Sequence, residues 1–177
     1  MANLLIIRPA IGRDASAIAS LGRITFEQAF GHLFRCHEET LQNYLKQTFT
    51  QKKIANSLKK PNNKYWLSSI DEKPIGYAKL KLRSGHPFCE GWRIGQLQKI
   101  YVDTAQIGYG VGKALVKIIE DEARRKLCDR LWLSVHEGNS RARSFYKHVG
   151  WRDIGQDKFA IGELRLSYRI MVRDLES

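Results

Sequence analysis

Hydrophobic and polar positions change period several times along the chain, and each change marks an element. "LLIIRPA", Leu4 to Ala10, is a short apolar run and predicts a first strand. Asp14 follows as a candidate N-cap, and Ile18, Leu21 and Thr25 then recur at helical spacing. "EETLQNYLKQTF" and "TQKKIANSLKK" predict two further short helices, with Thr50 as a cap and Pro61-Asn62-Asn63 as a stop. In "KYWLSSIDEKPIGYAKLKL" two alternating runs flank a polar turn holding Asp71 and Pro74, the signature of a hairpin. "RSGHPFCEGW" reads as a loop, and "GQLQKIYV" alternates again as a strand.

Beyond the next turn the period becomes helical. In "VGKALVKIIEDEARRKL" the residues Leu115, Ile119, Ala123 and Leu127 share one face, with Val111 and Ile118 beside them. The opposite face carries Glu120–Arg124, Asp121–Arg125 and Glu122–Lys126, each acid one turn before its base. "RLWLSV" is a strand. Asn139 opens a short helix with Ala142, Phe145, Tyr146 and Val149 on one side, and Gly150 takes the C′ place. "ELRLSYRIMV" alternates as the last strand. The order β, helices, hairpin, β, α, β, α, β predicts a mixed α/β fold. No repeat, low-complexity tract or linker interrupts it, so residues 1–177 read as a single domain.

Composition narrows the class. Hydrophobic residues make up 43% of the 177 and charged ones 27%, which suits a folded globular chain. No apolar stretch is long enough to span a bilayer, so no membrane partner is expected. "MANLLIIRPAIGRD" has no basic start and no cleavage site, and so reads as the first strand and not as a signal peptide. The three cysteines, Cys36, Cys89 and Cys128, form no framework, which points to a reducing cytoplasm. The five histidines lack metal-ligand spacing, so no metal is expected. The net charge of +12 permits an anionic ligand without being diagnostic of one. A nucleic acid would fit that charge, but no helix-turn-helix, zinc finger, RRM signature or basic helix face is present.

"YVDTAQIGYGVGK" sets Gly108, Gly110 and Gly112 at alternate positions where a strand gives way to a helix. The first helical N–H groups have no partner inside the helix, the helix dipole adds positive charge there, and glycine lets an anion approach the backbone. Such a turn suits a phosphate, with Lys113 beside it. It also suits a tight corner between strand and helix. A Walker A loop fails on Ile107 and Ala114, and a dinucleotide fingerprint fails on Lys113 in the third glycine place.

The second half resembles the GCN5-related N-acetyltransferase (GNAT) superfamily. That family's pyrophosphate loop is matched by Ile107-Gly108-Tyr109-Gly110-Val111-Gly112, and its later motif by Asn139, Ala142, Phe145-Tyr146 and Gly150-Trp151. The likeness extends over nearly the whole chain. "ITFEQAFGHLF", "GYAKLKL" and "LQKIYVD" resemble more narrowly the PaiA-like polyamine acetyltransferase branch. Ile107 departs from the Arg or Gln usual at the first loop position, which removes a side-chain contact but not the backbone donors.

The resemblance implies a GNAT-type acyl-CoA N-acyltransferase fold, with a mixed, mostly antiparallel sheet flanked by helices. It implies acetyl-CoA as cofactor and an amine as acceptor. Backbone at Ile100, Tyr101 and Val102 would hold the oxyanion and pair with the pantetheine arm. Residues 107 to 113, from Ile107 to Lys113, would hold the pyrophosphate. Asn139 and Ala142 would contact the cofactor, and Tyr146 would be the general acid. For Asn139 a cap role stands beside the cofactor role, and for Tyr146 core packing stands beside the acid role. The acceptor side would be lined by Phe26, Glu27, Phe30, His32 and Trp92. The general base stays open: the fourth strand offers Gln96 and Gln98 and no carboxylate, and Asp103, Glu27, Glu90 and His86 are the candidates. Acceptors compatible with the likeness are a polyamine, another small amine, a lysine side chain or a protein N-terminus. A homodimer is common in the family. A coenzyme A-binding regulator without turnover is the alternative reading, followed by a basic nucleic-acid-binding domain.

Overall fold

Thr50 accepts the Lys53 N–H at 3.1 Å and so starts a helix where the pattern predicts one. The computed structural model describes residues 4–175, so both ends of the expected domain lie outside the described residues. The strands are β1 (Leu5–Pro9), β2 (Asn63–Ile70), β3 (Lys73–Leu82), β4 (Ile94–Val102), β5 (Arg130–His136), β6 (Arg152–Ile161) and β7 (Leu164–Asp174). The helices are α1 (Ala15–Phe30), α2 (Glu38–Thr48), α3 (Gln51–Leu58), α4 (Val111–Arg125) and α5 (Ser140–His148).

The strands form one seven-stranded sheet in the order β1-β2-β3-β4-β5-β7-β6. β4 and β5 run parallel, joined by α4, with Ile94, Gly95 and Gln96 opposite Arg130, Leu131 and Trp132. β1 with β2, β5 with β7, and β6 with β7 are antiparallel. This is the mixed, mostly antiparallel sheet that the resemblance implies. The residues group into two compact units, Met1–Lys79 with Lys99–Lys117, and Leu80–Gln98 with Ile118–Ser177. The first has a core of Ala15, Ile18, Ala19, Ile54, Tyr65, Leu67 and Tyr77. The second has one of Cys89, Ile94, Trp132, Ile170 and Val172.

Several expectations are corrected. β6 is absent from the predicted order. It is an edge strand, exposed from Gln156 to Ala160, and its register shifts between Asp153 and Gly155, so no apolar alternation announces it. The hairpin turn is Asp71-Glu72, with φ of 47° and 66°, while Pro74 already lies on β3. Positive φ at both central residues is the turn whose twist suits a hairpin. Leu127 does not extend the buried face of α4. It follows the helix, 68% exposed, with φ of 60°.

The charged face of α4 also differs. Arg124 reaches Glu120 at 3.7 Å as expected, but Asp121 pairs with Arg124 at 3.3 Å and Glu122 with Arg125 at 2.6 Å, one residue closer than predicted. Glu120 is not on the solvent side. It stands one turn after Val116 and next to Ile119, inside the buried stripe, with Arg173 at 3.6 Å. Burial pushes its carboxyl pKa up, against the pull of Arg173 and Arg124.

Asp14 occupies the N-cap position of α1 without capping it. Its carboxylate is buried and accepts from Arg8 Nη1 at 2.7 Å, Arg8 Nη2 at 2.8 Å and the Ile11 N–H at 2.8 Å. The Arg8 hydrogen bonds hold its pKa below the ordinary carboxylate value. Arg169 does the same for Asp153, and Arg130 with Arg152 for Asp174. A depressed carboxylate contributes stability that is present above its unfolded pKa and lost as pH falls through the folded one. Denaturant melts from about pH 5 to about pH 2 are therefore expected to show a steep loss of stability. Asp14→Asn should cost about 1–3 kcal/mol at neutral pH and flatten part of that slope.

One glycine sets the spacing of β3 and β4. A Cβ on Gly76 would lie 2.7 Å from the Tyr101 carbonyl oxygen, 3.0 Å from Ser68 Oγ and 3.3 Å from Val102 Cα. The first and last of these are backbone, so a larger residue must displace β4 itself. Gly76→Ala is expected to destabilise the protein by about 1–3 kcal/mol, read as a lowered melting temperature.

Candidate functional site

β4 ends where the glycine turn begins, and local hydrogen bonds fix the change of direction. The Asp103 N–H donates to Ile75 O at 2.8 Å, and Asp103 Oδ1 accepts the Ala105 N–H at 3.1 Å, capping a short 3-10 turn over Thr104–Gln106. Ile107 is extended, with its N–H bonded to Thr104 O at 3.2 Å. Gly108 and Gly110 then take φ of 96° and 81°, a region that side-chain-bearing residues rarely adopt. The space beside both is open: a Cβ on either would meet nothing within 4 Å. Tyr109 between them is 77% exposed.

α4 starts immediately after. Its first helical bond runs from the Ala114 N–H to Gly110 O at 3.0 Å. The N–H groups of Val111, Gly112 and Lys113 therefore have no acceptor inside the helix. Open backbone, positive φ and a helix N-terminus at the end of a parallel strand make a turn able to receive a phosphate. Lys113 is exposed there. The residues fit a pyrophosphate-bearing cofactor on those grounds.

The early helices bring an aromatic wall toward β4. Phe26 is buried, with ring centroids of Phe30 at 4.9 Å, Tyr44 at 4.8 Å and Phe49 at 5.9 Å. Phe49 lies 6.1 Å from Tyr101 on β4, and Tyr101 lies 5.7 Å from Tyr77 on β3. Burial pushes the phenols of Tyr44, Tyr77 and Tyr101 up. The structure thus brings Phe26, Phe30 and Tyr101 into one cluster. Tyr44 and Phe49 complete it and were missed in the sequence, where both fall inside the stretch predicted as a helix and no local pattern ties them to Phe26. Glu27 and His32 are exposed instead, and Trp92, in the β3–β4 loop, is 92% exposed.

The second motif folds as a capped helix. Asn139 Oδ1 accepts the Ala142 N–H at 3.0 Å, and Asn139 O accepts the Arg143 N–H at 3.0 Å. The cap role of Asn139 is met. Tyr146 is buried on α5, with Phe145 at 5.2 Å and Trp151 at 5.8 Å between ring centroids. The Trp151 N–H returns to Tyr146 O at 2.9 Å, and Gly150 ends the helix with φ of 92°.

The base candidates separate. The Phe88 N–H donates to His86 Nδ1 at 3.2 Å, so Nε2 carries the proton and donates to Asp157 Oδ2 at 3.1 Å. Both ring nitrogens are engaged, and the ring lies tilted against Trp132, 4.8 Å between centroids. His86 is a latch between the β3–β4 loop and β6, not a free base. Asp103 serves as the cap already described. Gln96 Oε1 accepts from Ser84 Oγ at 3.2 Å, and Glu90 is exposed. The three cysteines are free thiols, with Cys89 and Cys128 buried. Among the described residues no group of three or more His, Cys, Asp or Glu side chains converges as a metal site. No helix among them is long and apolar enough to cross a membrane.

Residues 26–151 match the model of the acetyltransferase (GNAT) family. An uncharacterized N-acetyltransferase of Lactobacillus delbrueckii subsp. lactis is 24% identical over 86% of this chain and 87% of its own. A bovine thialysine N-epsilon-acetyltransferase is 36% identical over 58 residues, 33% of this chain and 34% of its own. The crystal structure of PaiA N-acetyltransferase from Thermoplasma acidophilum, solved with coenzyme A, superposes with a TM-score of 0.79. It is 18% identical and covers 97% of this chain and 99% of that one.

Proposed function

The chain belongs to the GNAT acetyltransferase family and is an N-acetyltransferase, and on that premise we propose that it moves the acetyl group of acetyl-CoA directly to a primary amine. The carrying observation is the turn at Gly108 and Gly110, whose positive φ and open flank leave helix-starting N–H groups free for a pyrophosphate. Acetyl-CoA supplies an activated acyl carbon and a thiol leaving group. Residues 107 to 113 bind its pyrophosphate, the turn donating from backbone and Lys113 adding charge. Backbone N–H at Ile100 to Val102 stabilises the carbonyl oxygen as charge develops on it, and the same stretch orients the pantetheine arm. Asn139 and Ala142 contact the cofactor from the start of α5. The Tyr146 hydroxyl gives its proton to the departing sulfur. The new C–N bond replaces the C–S bond, and the amine's lost proton leaves through water, since β4 holds no carboxylate.

The acceptor is a small-molecule or peptide amine, with Phe26 and Phe30 as lining and Glu27, His32 and Trp92 at the approach. The proposal includes all 177 residues acting as one domain, a cytoplasmic location in keeping with three free thiols, and a homodimer. One observation favours a second reading: His86 and Asp103 are both occupied elsewhere, so no prepared base is in view. That reading is a coenzyme A-binding regulator without turnover. Calorimetric titration with acetyl-CoA, followed by thiol release over a panel of amines including spermidine, separates the two. Binding with turnover supports the enzyme, tight binding with none supports the regulator, and no binding makes the turn a corner only.

A further inference from the structure

Lys99 stands on β4, immediately before the stretch from Ile100 to Val102, and is half-buried. Its Nζ lies 5.6 Å from the Phe49 ring centroid and 5.8 Å from that of Tyr101. Among the described residues it makes no hydrogen bond and no ion pair. Its charge is felt at the Tyr44 hydroxyl, where it opposes the effect of burial. An ammonium withdrawn from water without a counter-charge is unfavourable, and ring faces compensate only part of that. Beyond the Phe49 ring stand Phe26 of α1 and Tyr44 of α2, at 5.9 Å and 6.3 Å from it between ring centroids. Among the described residues the Lys99 ammonium at this aromatic cluster has no counter-charge, and Arg23, whose Nη2 donates to Phe49 O at 3.1 Å, adds positive charge beside it.

We propose that Lys99 reads the acceptor: the amine that this enzyme takes carries a carboxylate, which pairs with the Lys99 ammonium while an aliphatic stem lies on the half-buried rings of Phe30 and Tyr44, which the buried Phe26 and Phe49 back. The acceptor class is a small amino acid with its reactive amine at the far end of the stem. The inference rests on the acetyltransferase reading above and deepens it. A free diamine brings a second cation where Lys99 already stands, and is rejected by like charge. An amino acid brings the missing anion, and a partly desolvated charge-assisted contact of this kind is strong.

The test uses matched pairs, lysine with cadaverine and ornithine with putrescine, in the thiol-release assay with acetyl-CoA. Wild-type enzyme is expected to prefer the amino acid of each pair about tenfold in kcat/KM. Lys99→Met keeps the stem and its packing while removing the charge. It should raise KM for the amino acids about tenfold, lower KM for the diamines and reverse the preference. A wild-type preference for the diamines overturns the inference. So does a Lys99→Met variant that changes both series alike, which would make Lys99 a packing residue, and so does turnover of neither series by protein that binds acetyl-CoA in the calorimeter. Failure to bind acetyl-CoA at all overturns the acetyltransferase reading itself, and this inference with it.

Discussion

Gly110→Glu is expected to weaken acetyl-CoA binding at least a hundredfold while the protein stays folded. Two effects combine. Gly110 has φ of 81°, which a residue with a Cβ occupies at a cost of about 1–2 kcal/mol. The side chain itself meets no protein atom, since the space beside Gly110 is open to 4 Å. That open space is where the proposed pyrophosphate lies, so the new carboxylate meets a like charge at short range. Gly110→Ala separates the two effects. It carries the strain without the charge, and should lose only part of the affinity. Titration calorimetry reads both variants, with circular dichroism as the check on folding. Retained binding by Gly110→Glu would remove the phosphate from this turn.

Tyr146→Phe should lower kcat about a hundredfold and leave the acetyl-CoA dissociation constant within about threefold of wild type. The substitution deletes one oxygen. The ring contacts with Phe145 and Trp151 do not involve that oxygen, and neither does the backbone bond from Trp151 to Tyr146, so the end of α5 keeps its support. A loss in kcat without a loss in binding is the mark of a group used in the reaction and not in holding the cofactor. An unchanged rate would return Tyr146 to the core, where its burial places it equally well.

Lys99 makes the acceptor a separate question from the chemistry. The protein's overall +12 is a distant field that salt screens within about 10 Å. One half-buried ammonium against Phe49 and Tyr101 acts at contact range and is screened far less. Under the Lys99 proposal, local charge and not net charge selects among amines.

The order of elements along most of the chain, the Thr50 and Asn139 caps, the β2–β3 hairpin and the glycine turn were all legible in the sequence. The physical reason is that these features are local. A cap, a two-residue turn or a positive φ depends on a few neighbouring residues, whose types reveal it. β6 was not legible, because an exposed edge strand with a bulge has no apolar face to show. Asp14 reads as a helix cap and Glu120 as an acid of the charged face in the sequence, and only the fold supplied Arg8 to one and Arg173 to the other. His86 looked available until the fold set its Nε2–H against Asp157, distant in sequence. The aromatic wall joins Phe26, Tyr44, Phe49 and Tyr101 across three segments, and no period along the chain encodes such a meeting. By itself the sequence determined the family, the glycine turn and the capped helix that bears Tyr146. Tertiary structure alone decided which charged groups are paired and that Lys99 faces the Phe49 and Tyr101 rings, because pairing depends on distances between residues that the chain keeps far apart.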